Sequence, residues 1–463
     1  MQRDSIDFGT MDVTKLFRRI FIPTLLGMVF SASISIADGI FVGRGIGSDA
    51  LAAVNIVAPF FLVTTGIGLL FGSGASIVAS VHLSQKKKKA ANINITQAFT
   101  VSTAIMLILS ALVLVFMDET AILLGSSDRL LPLVKEYMLY IIPALAFGML
   151  MSIGLFVIRL DGSPVFAMLC NVLPALCNVF LDYLFVFPLE MGIKGAALAT
   201  ALAQVFGGIM ILGYMLRFTK TVHFYIPKFS KKSILLTCRN VGYMVKLGAS
   251  AMIGELAIAC MTLTGNFVFM EYLGEDGVAA FGIACYSFPV VFMIGNAIAQ
   301  SAQPIISFNY GAGNMQRVRR AFMLAFAMAV LFGIALALSG QIFNTGLVSL
   351  FLNDTTPAYG IAIYGIPFFS YGFFFFLLNL VFIGYYQSIE AFRSATVFTL
   401  LRGVIFMLCG FLLLPGFFNT KGIWLAVPFA ELLTFVTISV HYILGVIKVK
   451  TSSLKIRSIT SDK

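Results

Sequence analysis

The chain has 463 residues, 59% of them hydrophobic and only 11% charged, with a mean hydropathy of +0.98. Soluble domains carry about 25% charged residues, so a water-facing globular surface is excluded. The length instead counts bilayer crossings of about 20 apolar residues each. The net charge of +11 is not gathered in a compact basic domain, which removes nucleic acid as a partner.

Apolar segments predict twelve spans, at about 16–42, 51–80, 94–116, 131–157, 164–188, 195–216, 240–270, 277–306, 318–342, 358–386, 394–415 and 422–447. The first 15 residues are polar and the apolar run after them is too long for a cleavable leader. With the N-terminus inside, twenty-five of the 31 Lys and Arg fall on the cytoplasmic side and five on the other, with Arg402 inside a span. That bias puts both termini in the cytoplasm and implies a multi-pass protein of a bacterial cytoplasmic membrane. Lys86–Lys89 reads as a topology anchor.

Span 1 holds Pro23, which interrupts its hydrogen-bond ladder and is a candidate hinge, and Asp38 near its outer end. Span 5 holds Asn178 and Asp182, one turn apart on one face, and span 6 holds Thr200. At 1.5 Å per residue, Asp38, Asp182 and Thr200 all lie roughly 8–9 Å below the outer surface. A charge in hydrocarbon is costly, so intramembrane acids point to function. Two carboxylates at one depth resist double ionisation, and amide and hydroxyl oxygens beside them suit a proton or a small cation. The plainer reading is a helix cap at Asp38 and a structural interhelical bond at Asp182.

The longest polar connection, 217–240, divides the chain near its middle into 1–216 and 241–463. In span 7, Glu255 reads equally as a cavity acid or a structural hydrogen-bonding group. In span 12, Glu431 invites the same two readings with the balance toward structure, and Gln204 holds its place in the first half. These three are candidates for a substrate cavity or a second acidic site. Phe373–Phe376 point all round a helix and read as lipid contact and packing, and Asn353-Asp354-Thr355 is a sequon. The six cysteines form no CxxC pair and read as buried small apolar groups.

The halves repeat. Gly47-Ser48-Asp49-Ala50-Leu51-Ala52-Ala53 matches Gly274-Glu275-Asp276-Gly277-Val278-Ala279-Ala280 at an offset of 227, which also pairs Gly68 with Gly295 and Lys194-Gly195 with Lys421-Gly422. Six spans per repeat make the repeats parallel, and such architectures place a substrate path between two bundles. The expected fold is therefore all-α and polytopic, with twelve transmembrane helices in two pseudo-symmetric six-helix bundles, an N-lobe and a C-lobe, around a central cleft. No GxxxxGK[ST] loop for ATP, no GxSxG and no HExxH occurs, so neither an ATP-driven pump nor an enzyme is indicated. An ion moving down its gradient supplies about 2.3 kcal/mol per ~100 mV.

Ala37-Asp38-Gly39-Ile40-Phe41-Val42-Gly43-Arg44 and the residues after it, Asn178-Val179-Phe180-Leu181-Asp182, and Gly195-Ala196-Ala197-Leu198-Ala199-Thr200 resemble the multidrug and toxic compound extrusion (MATE) family. The resemblance spans all twelve segments. It implies antiport, with inward H+ or Na+ driving export of small amphiphilic, often cationic compounds, with no cofactor and as a monomer. It implies that Asp38, Asn178, Asp182 and Thr200 form the cation site, by H+ or by Na+, that Pro23 is the span-1 bend, and that Glu255 is the acid some members carry in span 7. The span-10 aspartate of certain members is missing: 361–389 has no acidic residue. A flippase for lipid-linked oligosaccharide or peptidoglycan precursor is the alternative, though it should line its cavity with cations.

Overall fold

In this computed structural model the described residues are 6–225, 230–350 and 354–461, less the side chains of 32–40, 42–44, 48, 51, 286 and 445–461. The side chain of Asp38 and the sequon residue Asn353 fall outside them.

Long apolar helices account for almost every described residue. Span 1 is Val13–Gly45, span 2 Ser48–Ser84, span 3 Lys88–Val115, span 4 Leu131–Leu160, span 5 Pro164–Val186 and span 6 Gly192–Gly213. The run Lys231–Gly311 breaks at Gly274, giving spans 7 and 8. Span 9 is Met315–Ile342 and span 10 is Pro357–Ser388. The last run begins at Phe392, passes through a π-helical turn at Leu401–Ile405 and breaks at Asn419, giving spans 11 and 12. The chain is a multi-pass membrane protein, and among its described residues twelve long helices stand where the apolar segments predict them.

The repeat is written into the backbone. Gly47, between spans 1 and 2, has φ 125°, and its counterpart Gly274, between spans 7 and 8, has φ 66°. Gly192, at the start of span 6, has φ 60°, and its counterpart Asn419, at the start of span 12, has φ 50°. All four positions need the left-handed region, open to glycine and tolerated by asparagine. The same turn recurs in both halves because the same chain geometry must reverse there.

By packing, the chain forms two units. The first comprises Met1–Leu256, Phe292–Ala325 and Gly384–Thr396; the second comprises Ala257–Val291, Phe326–Ile383 and Val397–Lys463. In the first unit, helices approach through small residues, as membrane helices do without a hydrophobic drive. A methyl at Gly72 would meet Phe156 and Ile153, one at Gly208 would meet Phe147, and one at Gly248 would meet the Leu70 carbonyl. Gln387 donates to Ser73 Oγ at 3.1 Å and to the Leu247 carbonyl at 2.7 Å, while Gln303 donates to the Ser73 carbonyl at 3.2 Å. The second unit is held by rings: Phe281 stacks on Phe269 at 4.5 Å and meets Phe369 and Phe411 edge-on, and Phe269 lies edge-on to Trp424 at 4.8 Å.

Two details differ from the sequence reading. The helix resumes at Lys231, inside the stretch read as connection over 217–240, because Ser230 caps it by accepting the Ser233 N–H. Among the described residues Cys170 is the only buried cysteine, and Cys238 is exposed. The start of the connection is fastened by Asp161, whose carboxylate accepts from Tyr214 Oη at 2.7 Å and from the amides of Lys220, Thr221 and Val222.

A candidate cation and substrate site in the first unit

Span 5 buries one stripe at helical spacing, Ala167, Cys170, Pro174, Asn178, Asp182 and Val186. Its other face, with Phe180 and Tyr183, is exposed. Three- and four-residue steps keep a stripe on one side of a helix, so Asn178 and Asp182 reach the interior by the same pattern that packs the apolar positions. Asp182 is 0% exposed and Asn178 9%. Span 6 meets this stripe with alanines and glycines, and Thr200 rises among them. The Asn178 amide donates to Thr200 Oγ1 at 3.4 Å.

Beside this pair lies a cavity of about 360 Å³. Its polar wall is Ser31, Tyr137, Asn171, Asn178, Thr200 and Gln204, and its apolar wall includes Val54, Phe61 and Met151. Gln204 is seated by Gly148, where a methyl group would collide with its amide, and its Oε1 has no hydrogen-bond partner among the described residues. A cavity of this size and mixed lining takes a small amphiphile in part, and its oxygens can take a hydrated or bare cation. Spans 5 and 6 bring Asn178, Thr200 and Gln204 to one cavity wall, with Asp182 buried one turn from Asn178 on span 5.

The other candidates stand apart. Pro23 lies inside an unbroken span 1, beside a small notch rather than the larger cavity. Glu255 is half-buried on span 7, and its Oε2 has no partner among the described residues. Glu431 is 1% exposed and paired: Arg402 Nε lies 3.1 Å from Oε1, and Asn379 donates to Oε2 at 2.7 Å and to the Glu431 carbonyl at 2.8 Å. The Arg402 guanidinium also lies over the Phe376 ring at 4.3 Å. This is the structural reading of Glu431, and the π-helical turn carries the arginine that completes it.

Sequence reasoning passed over Asn171, Tyr137 and Ser31. Asn171 had a legible signal: it precedes Asn178 by two turns and so shares its face. Ser31 and Tyr137 had none, since they join the wall only through packing. Among the described residues no cluster of His, Cys, Asp or Glu has metal-holding geometry.

The MatE family model matches residues 23–184 and 251–412, two segments whose starts are 228 residues apart. That spacing is the repeat already seen in the loop glycines. The "FAD transporter" of Shewanella oneidensis is 26% identical over 434 residues, covering 91% of this chain and 92% of that protein. "Multidrug export protein MepA" of Staphylococcus aureus is 24% identical over 429 residues, covering 90% and 91%. Among solved structures, an outward-facing multidrug resistance MATE family transporter superposes with TM-score 0.86 at 20% identity over 97% of this chain and 99% of that one. With both repeats matched and the helical architecture shared end to end, the chain belongs to the MatE family of multidrug and toxic compound extrusion transporters.

Proposed function

We propose that this transporter exports small amphiphilic organic compounds in exchange for inward H+ or Na+, and that the cation exchanges at Asp38, Asn178, Asp182 and Thr200. The observation that carries the reading is the fully buried Asp182, one turn from an amide–hydroxyl pair on the wall of a 360 Å³ cavity. A buried carboxylate favours a cation or a proton over bare charge. Filling the adjacent cavity with substrate changes its solvation, so cation and cargo compete without touching. Gln204 contributes a polar anchor for cargo, and Pro23 gives span 1 a place to bend as Asp38 changes partners. No ATP enters, and a monomer suffices because one chain carries the whole site.

Two cargo classes have support. Export of varied amphiphiles fits the apolar wall and the MepA relative, whereas the flavin dinucleotide named for the Shewanella relative is an anion. Reconstituted vesicles separate these. Cationic dye and flavin dinucleotide are each loaded, H+ and Na+ gradients are imposed independently, and substrate and ion fluxes are recorded together. The proposal expects one cargo class to move against its gradient only when one of the two ions runs inward. Uphill movement with both gradients collapsed would end it.

A further inference from the structure

Arg159 closes span 4, and only 4% of it is exposed. Its Nε donates to the Leu155 carbonyl at 2.8 Å, in its own last turn, and its guanidinium lies over the Phe156 ring at 4.9 Å. Those contacts leave Nη1 buried with no hydrogen-bond partner among the described residues. A guanidinium does not give up its proton in a protein, and a buried charge without a counter-charge is costly. The nearest acid in sequence, Asp161, is already taken by Tyr214 and three backbone amides.

The guanidinium borders an open-sided notch between spans 1, 4 and 5, lined also by Thr24, Gly27, Met168 and Asn171. Thr24 is 7% exposed, and its Oγ1 likewise has no partner among the described residues. Gly27 draws span 1 against the Met168 backbone, where a methyl group would sit 3.4 Å from its Cα, so the notch stays narrow. Its free volume of about 10 Å³ admits one water-sized group. Arg159, Thr24 and Asn171 all border that space, and among the described residues no carboxylate lines it. Water would satisfy the hydrogen bonds but leave the charge uncompensated. An anionic oxygen does both, and charge-assisted bonds of this kind are the stronger ones.

We propose that the notch is an anion site, in which Arg159, Thr24 and Asn171 hold one oxygen of a phosphate or carboxylate group. Asn171 also lines the larger cavity, so the two sites share a wall. The chemistry is common to a phospholipid headgroup and to the phosphate of a soluble compound. This inference does not rest on the cation assignment, and neither Arg159 nor Thr24 belongs to that machinery.

The test uses the full-length protein in an uncharged detergent. Inorganic phosphate and, separately, phosphatidylglycerol are titrated while phosphorus NMR line width and the thermal midpoint are followed. The site predicts saturable binding, weakened at least about tenfold by Arg159→Met, as loss of a bond to a charged group requires, and several-fold by the nearly isosteric Thr24→Val. Arg159→Lys should keep part of it. Saturation by phosphate supports the site with a soluble ligand, and saturation by phosphatidylglycerol alone supports it with a lipid headgroup. No saturable binding to either, or equal binding by Arg159→Met, overturns it. Should Arg159→Met fail to fold, unchanged affinity in Thr24→Val does the same.

Discussion

The two repeats share a backbone plan and fill the same interior positions in opposite ways. At an offset of 227, Asp182 corresponds to Cys409, Asp38 to Gly265 and Gln204 to Glu431. In the first half Gln204 lines a 360 Å³ cavity together with Asn178 and Thr200. In the second half, a methyl at Gly265 would collide with Phe281 and come within 3.2 Å of Phe411, so rings occupy the room a carboxylate would need. Its fully buried acid, Glu431, is paired with Arg402 and accepts from Asn379, while Glu255 in span 7 is half-buried. The first repeat thus sets Gln204 on a cavity wall, while the second packs rings at Gly265 and closes an ion pair at Glu431.

The largest expected break of this contrast is Asp182→Asn, which removes the charge that a coupling cation would neutralise. Ion-driven substrate flux in vesicles should fall to background, while Cys409→Asn, at the matching place in the second half, should retain it. If both or neither lost transport, the assignment to the first repeat would fail.

Next in size is the second half's ion pair. Arg402→Met leaves Glu431 buried without its counter-charge and should cost about 3–5 kcal/mol, read as a lower unfolding temperature in detergent. Combining it with Glu431→Gln should recover much of that loss, since removing both charges is far cheaper than removing one. A double variant no better than the single would mean that the pair is not what holds these helices.

Smaller still is Gly265→Ala, whose added methyl presses on Phe281 and should cost about 1–3 kcal/mol as an overpacking defect. The trimmed variant Gly265→Ala with Phe281→Leu should be closer to wild type if ring crowding is the cause. The smallest effect concerns the N-terminal segment. Asp7 is held below the ordinary carboxylate range by the Thr10 hydroxyl and the Gly9 amide. Its contribution to seating that segment is complete above the ordinary carboxylate pKa and fades as pH falls through the lowered one. Limited proteolysis near residue 10 should accelerate in acid for wild type and show no such pH step in Asp7→Asn.

Much of the fold was legible because the repeat is spelled in residues that chain reversal demands. Gly47 and Gly274 announce the same turn, and Lys194-Gly195 matches Lys421-Gly422. The turn at Asn419 was less visible, since asparagine performs there what Gly192 performs in the first half. The contact between Asn178 and Thr200 was legible because depth along a helix is arithmetic. Arg402 and Glu431 were each noticed as intramembrane charges. Their pairing depends on a π-helical turn that shifts one side chain's direction, and periodicity does not encode that. Nothing in the sequence marks Asp161, because its backbone partners are amides some 60 residues away.

The measurement that bears most directly on the account is cation release from purified protein on adding substrate, with H+ and Na+ followed separately. Wild type and Cys409→Ser should discharge a bound cation as cargo enters, and Asp182→Asn should discharge none. Equal release from Asp182→Asn would show that the exchanged ion never belonged to the first repeat's carboxylates.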